Sequence, residues 1–242
     1  MRYDLAPMRD CCSVATLPAL AVLPGLVHGF EQRGVSGEPD AERRRRIESS
    51  LASSGQLLLL RQVHGARVVP APWAGAPEAD AATADRTGLI LGIQTADCLP
   101  ALIVDPRRRV VAAVHAGWRG TAAGVLRQAL RAMVALGCQP KDLLAGLGPA
   151  IGVCCYEVGE EVRRAFGAPG RRFFQDRGSQ RPHLDLRRAN LAQLVEEGVP
   201  PERISQAEDC TACRPDLYPS FRRDGRNCGR MLSFVGWAHP AP

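Results

Sequence analysis

Residues 89–116 read LILGIQTADCLPALIVDPRRRVVAAVHA, and three apolar runs stand out within them, at 89–93, 101–104 and 110–114. Short runs rich in Leu, Ile and Val suit buried strands. The linker Asp105-Pro106-Arg107-Arg108-Arg109 between the second and third runs has turn chemistry, because proline presets φ. The two runs therefore form an antiparallel hairpin. Pairing Val104 with Val110 places Cys98 opposite about residue 116, so Cys98 and His115 meet at the open end of the hairpin. Strands and helices interleave around this hairpin without a dividing linker. The expectation is an α+β fold: a single mixed α/β domain over residues 1–242, with a largely antiparallel or mixed central sheet flanked by helices.

Outward from the hairpin, residues 121–136 read as one helix with Val125, Leu126, Leu130, Met133, Val134 and Leu136 as its apolar positions and Gly137 as its stop. Further helices are expected at 40–54, 157–166 and 186–198, the last stopped by Gly198. Strands are expected at 57–60, 66–69, 143–147, 183–186, 204–207 and 230–237, with an irregular strand or strand pair over 14–27. Residues 31–40, 70–87 and 171–181 read as loops, and 1–13 and 238–242 as flexible ends.

Composition narrows the class. A chain of 242 residues with 45% apolar and 23% charged content can bury a core without disulfide staples, and it does not read as disordered. The formal charge of +6 is scattered. Its densest run, Arg43 to Arg46, opens a polar helix pattern and suits a solvated face better than a nucleic-acid stripe. The apolar stretch 14–27 is broken by Pro18 and Pro24, so neither a signal peptide nor a membrane span is expected. Nine irregularly spaced cysteines then point to thiols or metal ligands in a reducing, cytoplasmic setting.

Cys98 beside His115 permits a nucleophilic Cys-His pair, two ligands of one metal, or a buried thiol next to a satisfied histidine. His64, in Val63-His64-Gly65, lies at a similar strand end. Two histidines and one thiolate make a zinc set that leaves a fourth position for water or substrate, which is what a catalytic centre needs. Spacing by itself leaves the three alternatives open. His115-Ala116-Gly117-Trp118-Arg119-Gly120-Thr121 leads into a helix, so its free amides and the Arg119 fork offer an anion site against a simple capped turn. Gly146-Leu147-Gly148-Pro149-Ala150-Ile151-Gly152 lacks a phosphate-loop signature. Cys154-Cys155-Tyr156 is read as lining the same pocket, and two adjacent thiols more often pack than ligate. Cys210-Thr211-Ala212-Cys213 has no partner CxxC, so packing outweighs a structural zinc or a redox pair. Arg222-Arg223, beside Phe221, suits either a phosphate or carboxylate site or a surface turn. His28 and His183 read as structural, and His239 as solvated.

Several blocks taken together resemble the YfiH family. They are Gln62-Val63-His64-Gly65, residues 92–100, Val114 to Gly120, Gly148 to Gly152 with 154–159, and 221–225 with Gly229-Arg230-Met231. The family is also known as multicopper polyphenol oxidase or laccase-domain protein. The resemblance implies a domain similar to the cytotoxic necrotizing factor catalytic domain, and a metal on His64, Cys98 and His115, zinc rather than copper. It implies a purine nucleoside phosphorylase acting on adenosine, inosine, guanosine and methylthioadenosine, with adenosine deaminase activity. A branch linked to editing of peptidoglycan precursors gives the alternative of a Cys-His hydrolase or amidase. Copper-dependent polyphenol oxidation is the weaker alternative, because five histidines cannot furnish several copper centres. Candidate substrate- or phosphate-binding residues are Arg33, Arg61, Asp97, Arg119, Gly148, Arg222 and Arg223. The shortened glycine turn of Gly29-Phe30-Glu31-Gln32-Arg33-Gly34-Val35-Ser36 departs from the family pattern and bears on the placement of Arg33, and Cys228 stands where a Thr or small residue is usual. Partners are expected to be small molecules, not nucleic acid or membrane, with the chain a monomer or small homo-oligomer.

Overall fold

The expected hairpin forms, and it belongs to the second of two stacked sheets. A computed structural model of the chain describes residues 4–5, 14–33, 40–176, 178 and 181–239. The first strands are β1 (Asp4–Leu5), β2 (Val14–Thr16), β3 (Leu26–Glu31), β4 (Gln56–Leu59), β5 (Val68–Pro70), β6 (Ala81–Ala84) and β7 (Leu89–Thr95). They are followed by β8 (Leu99–Asp105), β9 (Val110–Ala116), β10 (Leu144–Leu147), β11 (Phe174–Gln175), β12 (His183–Leu184), β13 (Ile204–Gln206) and β14 (Met231–Trp237). The helices are α1 (Pro18–Ala21), α2 (Asp40–Ala52), α3 (Trp118–Ala122), α4 (Val125–Ala135), α5 (Glu160–Gly170), α6 (Leu186–Glu196) and α7 (Phe221–Asp224).

One six-stranded sheet runs β1-β2-β3-β14-β7-β4 and the other β13-β10-β8-β9-β6-β5. Both are mixed, and among the described residues the parallel strand pairs are β4–β7, β5–β6 and β10–β13. The α+β class holds, with its sheet doubled. Leu91, Ile93 and Val235 of the first sheet pack against Leu102, Val104 and Val111 of the second. The outer face of the second sheet is covered by Leu126, Leu130 and Met133 of α4 and Leu186 and Leu194 of α6. Ile47 and Leu51 of α2 cover Ile90, Leu232 and Phe234 of the first. Strands buried on both faces read as continuous apolar runs, which is why β8 and β9 are so plain in the sequence.

Four local expectations are corrected. The hairpin pairs Val104 with Val111 and Asp105 with Val110, one residue away from the predicted register. Asp105 Oδ1 accepts from the amides of Arg107 and Arg108 at 2.9 and 3.0 Å, and Arg109 adopts φ 55°, so the turn takes up all four residues 106–109. The helix expected over 121–136 is two helices, because Gly124 at φ 77° ends α3 and starts α4, and Val134 faces solvent. The expected loop 70–87 contains β6, whose four small residues are wholly buried between β5 and β9. Within 14–27, Pro18 begins a short helix between two strands, as its fixed φ favours.

The flexible ends expected at 1–13 and 238–242 fall largely outside the described residues, as do residues 34–36 of the early glycine block. Among the described residues no helix is long and apolar enough to cross a membrane.

Candidate metal centre

The chain passes between the two sheets close to His64, Cys98 and His115. It leaves the first sheet at Thr95 and enters the second at Leu99, so only Ala96, Asp97 and Cys98 span the gap. Asp97 makes the turn at φ 81°, a left-handed conformation that costs a side-chain-bearing residue roughly 1 kcal/mol. Its carboxylate offsets this by accepting from Thr211 Oγ1 at 2.6 Å and from the Arg222 amide at 2.7 Å. His64 lies in another crossover between the sheets, from β4 to β5, also left-handed at φ 61°. Gln62 steadies that crossover by exchanging two 2.7 Å bonds with the backbone of Gln94. His115 is the penultimate residue of β9 and is buried.

The donor atoms of these three side chains lie within 4.8 Å of one another. The His64 and His115 rings meet edge to face with centroids 4.8 Å apart. Gly117 closes the back of the triangle. A β-carbon there would stand 3.0 Å from Cys98 Sγ and 3.1 Å from His64 Cδ2, so the position has no room for a side chain unless Cys98 or His64 shifts.

Asp80 organises the arrangement. It is fully buried, and its Oδ1 lies 2.7 Å from His115 Nδ1, which leaves Nε2 for the centre. The same carboxylate accepts from the amides of Val63, His64 and Gly65 at 3.2, 2.9 and 2.6 Å. One side chain thus orients one histidine by its ring and the other by its backbone, the role of a carboxylate behind a metal-ligating histidine. Burial works to raise the Asp80 carboxyl, but the bonds from His115, Gly65 and His64 outweigh it and hold it below the ordinary range. Burial would also push the Cys98 thiol up. Hydrogen bonds and charge from His115 and His64 bring it down instead, to about 6. His115 is lowered by burial and raised more strongly by Asp80 and Cys98, to about 9. Both histidines thus favour the thiolate, the form that binds a metal.

The triangle opens onto a cleft of about 740 Å³. Arg119, Arg222 and Arg230 line it, with Trp118, Tyr156 and Phe221 as aromatic surfaces and Glu157 and Glu161 as carboxylates. The family described as multi-copper polyphenol oxidoreductase laccase matches residues 36–238. The chain belongs to this family. A purine nucleoside phosphorylase from Deinococcus radiodurans is 38% identical over 208 residues, covering 86% of this chain and 81% of that one. A protein named adenosine deaminase RL5, from an unknown prokaryotic organism, is 33% identical over 194 residues, 74% of each chain. The crystal structure of the Bacillus licheniformis hypothetical protein YfiH matches with a TM-score of 0.85 at 26% identity, over 97% of this chain and 98% of that one. The YfiH resemblance read from the motifs stands, and the names of the relatives support an enzyme of the nucleoside-processing kind.

Within this laccase-family fold the predicted site residues divide. Asp97, Arg119 and Arg222 line the cleft with His64, Cys98 and His115. Arg119 lies over the Trp118 ring at 4.3 Å, and Arg222 donates to the carbonyls of Cys155 and Glu157. Arg33, Arg61, Gly148 and Arg223 do not line it. Arg33 pairs with Asp224 at 3.3 Å, and Arg61 with Glu78 at 2.7 Å. Gly148 is packed so closely that a β-carbon would come within 2.3 Å of Phe30. Arg223 is spent on Asp224 and the carbonyls of Thr211, Ala212 and Tyr218. Tyr156 reaches the cleft, whereas Cys154 and Cys155 do not line it.

His28 accepts from the Leu17 amide, and burial drives it down to about 4. His183 bonds the Val153 carbonyl at 2.8 Å, and His239 is exposed. Sequence reasoning missed Asp80 and Arg230. Asp80 sits in an Ala- and Asp-rich stretch that reads as loop, and the only signal is that it directly precedes four small residues able to form a buried strand.

Proposed function

We propose that the chain is a zinc-dependent purine nucleoside phosphorylase, acting on adenosine, inosine, guanosine and methylthioadenosine, with adenosine deaminase activity. The observation that carries this reading is the triangle of His64, Cys98 and His115 facing a cleft that combines arginines with aromatic surfaces. The names of the relatives support the same reading. Two imidazoles and a thiolate are a zinc donor set, and Gly117 leaves their common centre clear of side chain. Bound by these three residues, zinc would supply Lewis acidity with a coordination position left toward the cleft.

The chain's own side chains do the rest. Trp118, Tyr156 and Phe221 offer faces on which a purine stacks, and Phe221 is 49% exposed at the cleft. Arg119, Arg222 and Arg230 present forks that hold phosphate and orient it toward the anomeric carbon of the ribose. Glu157 and Glu161 are placed to accept from ribose hydroxyls and to stabilise the positive charge that grows on the sugar as the glycosidic bond breaks. In deamination, water adds at the purine C6 carbon and the amino group there leaves as ammonia, within the same cleft. On this reading residues 1–242 form one catalytic domain of a cytoplasmic enzyme, monomeric or a small homo-oligomer, that takes small molecules.

Zinc-loaded protein incubated with adenosine tests the reading. With phosphate, adenine and ribose 1-phosphate appear; without it, inosine appears. If neither product forms, the proposal fails.

One feature favours a second reading. Asp80, His115 and Cys98 form a row of orienting acid, base and nucleophile, as a Cys-His amidase acting on a peptidoglycan precursor would need. Metal-stripped protein that retains full amidase activity, yet loses it on Cys98→Ala, would support that reading over zinc chemistry.

A further inference from the structure

A second cluster of sulfurs lies outside this machinery. Cys154 and Cys155 follow β10, and Cys210 and Cys213 follow β13. β10 and β13 are parallel neighbours, with Leu147 opposite Gln206. Their pairing continues past the strand ends: the Ala207 amide donates to Leu147 O at 2.8 Å and the Thr211 amide to Ala150 O at 3.1 Å. Parallel strands deliver their following turns to the same edge, so two cysteine pairs remote in sequence arrive together.

All four Sγ atoms lie within 4.8 Å of one another. Cys213 Sγ is 3.7 Å from Cys154 Sγ and 3.4 Å from Cys155 Sγ. Four sulfurs around one zinc at bonds of about 2.3 Å stand about 3.8 Å apart, close to the two Cys213 separations of 3.7 and 3.4 Å. A polynuclear iron–sulfur cluster places several irons and sulfides between its cysteines and needs a wider one. The backbone is shaped to the same end. The Gly152 amide donates to Cys210 Sγ at 3.1 Å, and a β-carbon on Gly152 would stand 3.0 Å from Cys210 Cβ and 3.1 Å from Cys154 Sγ.

From this geometry we infer that Cys154, Cys155, Cys210 and Cys213 form a second, structural metal site, a tetrathiolate that binds one zinc ion. All four protein ligands are supplied, so the shell is closed and its work is mechanical. The two turns it joins carry walls of the cleft. Thr211 bonds Asp97, Arg222 bonds the Cys155 carbonyl, and Arg223 bonds the carbonyls of Thr211 and Ala212. The charge balance agrees. Burial would raise Cys210, but the Gly152 and Cys213 amides outweigh it and lower its thiol. Burial and neighbouring sulfurs push Cys154 and Cys155 up. Binding of a divalent cation would displace thiol protons from the four cysteines.

Metal content per chain tests the site. The protein is purified reduced from zinc-supplemented culture as wild type, Cys98→Ser, Cys213→Ser and the double variant. Elemental mass spectrometry should find about two zinc ions in the wild type, about one in each single variant and none in the double. Cobalt substitution of the Cys98→Ser protein should give the ligand-field and sulfur charge-transfer bands of a tetrahedral tetrathiolate, a readout that does not depend on Cys213→Ser folding. A zinc-free Cys98→Ser protein without those bands overturns the site. So does Cys213→Ser holding as much zinc as the wild type, or a disulfide among the four cysteines in place of metal.

Discussion

The two sulfur-bearing clusters of this chain differ in how many donor side chains the fold supplies. His64, Cys98 and His115 give three donors, backed by Asp80 on one side and facing the cleft on the other. Cys154, Cys155, Cys210 and Cys213 give four, at the shared edge of two parallel strands and outside the cleft lining. Three ligands leave a position for chemistry, whereas four close the shell and leave only cross-linking. On the proposed readings, the missing fourth donor, more than the identity of the other three, separates a reactive centre from a staple.

Cys98→Ser attacks the contrast most strongly. Removing one of three ligands forfeits several kcal/mol of transition-state stabilisation, so kcat should fall about a thousandfold or more. The melting temperature should change little. Cys213→Ser should reverse the pattern: melting drops by several degrees, while turnover measured below the transition stays far above that of Cys98→Ser. If both variants lose turnover equally without loss of stability, the division of labour is wrong.

Asp80→Asn comes next. The amide keeps the shape but loses the charge that holds His115 Nδ1 and three amides, so zinc affinity should weaken about 10- to 100-fold. Competition with a chromophoric chelator measures this. An unchanged affinity would remove Asp80 from the account.

Gly117→Ala is the mildest probe. The backbone there, at φ −72° and ψ 171°, accepts alanine without strain, and the new methyl presses first on Cys98 and His64. Zinc affinity should fall by up to about tenfold with the tetrathiolate content unchanged. Loss of both zinc ions would show that the two sites are not independent.

How far the sequence disclosed this plan follows from where each signal lies along the chain. The β8–β9 hairpin was legible because both strands are buried on both faces, and it brought Cys98 and His115 together. His64 was suggested by its strand-end place and its chemistry, but only the family resemblance tied it to the pair, since no local periodicity links a residue in the β4–β5 crossover to the hairpin. The doubling of the sheet was hidden because the crossover at residues 96–98 has no turn signature beyond Asp97. β6 was missed because four consecutive small residues carry little strand propensity; only packing between β5 and β9 makes them a strand. The four-cysteine cluster was hidden for a different reason: CC and CxxC are uninformative apart, and only the parallel pairing of β10 with β13 brings them together. Among the arginines, Arg33, Arg61 and Arg223 were named for their chemistry, but acidic partners and carbonyls keep them elsewhere.

The central claim, that the open three-ligand centre performs the reaction, is met most directly by turnover of adenosine with phosphate through one cycle of metal removal and return. The account predicts that a chelator abolishes product formation and that stoichiometric zinc restores it in the wild type but not in Cys98→Ser. Full turnover by metal-free wild type, or restoration by zinc in Cys98→Ser, would contradict it.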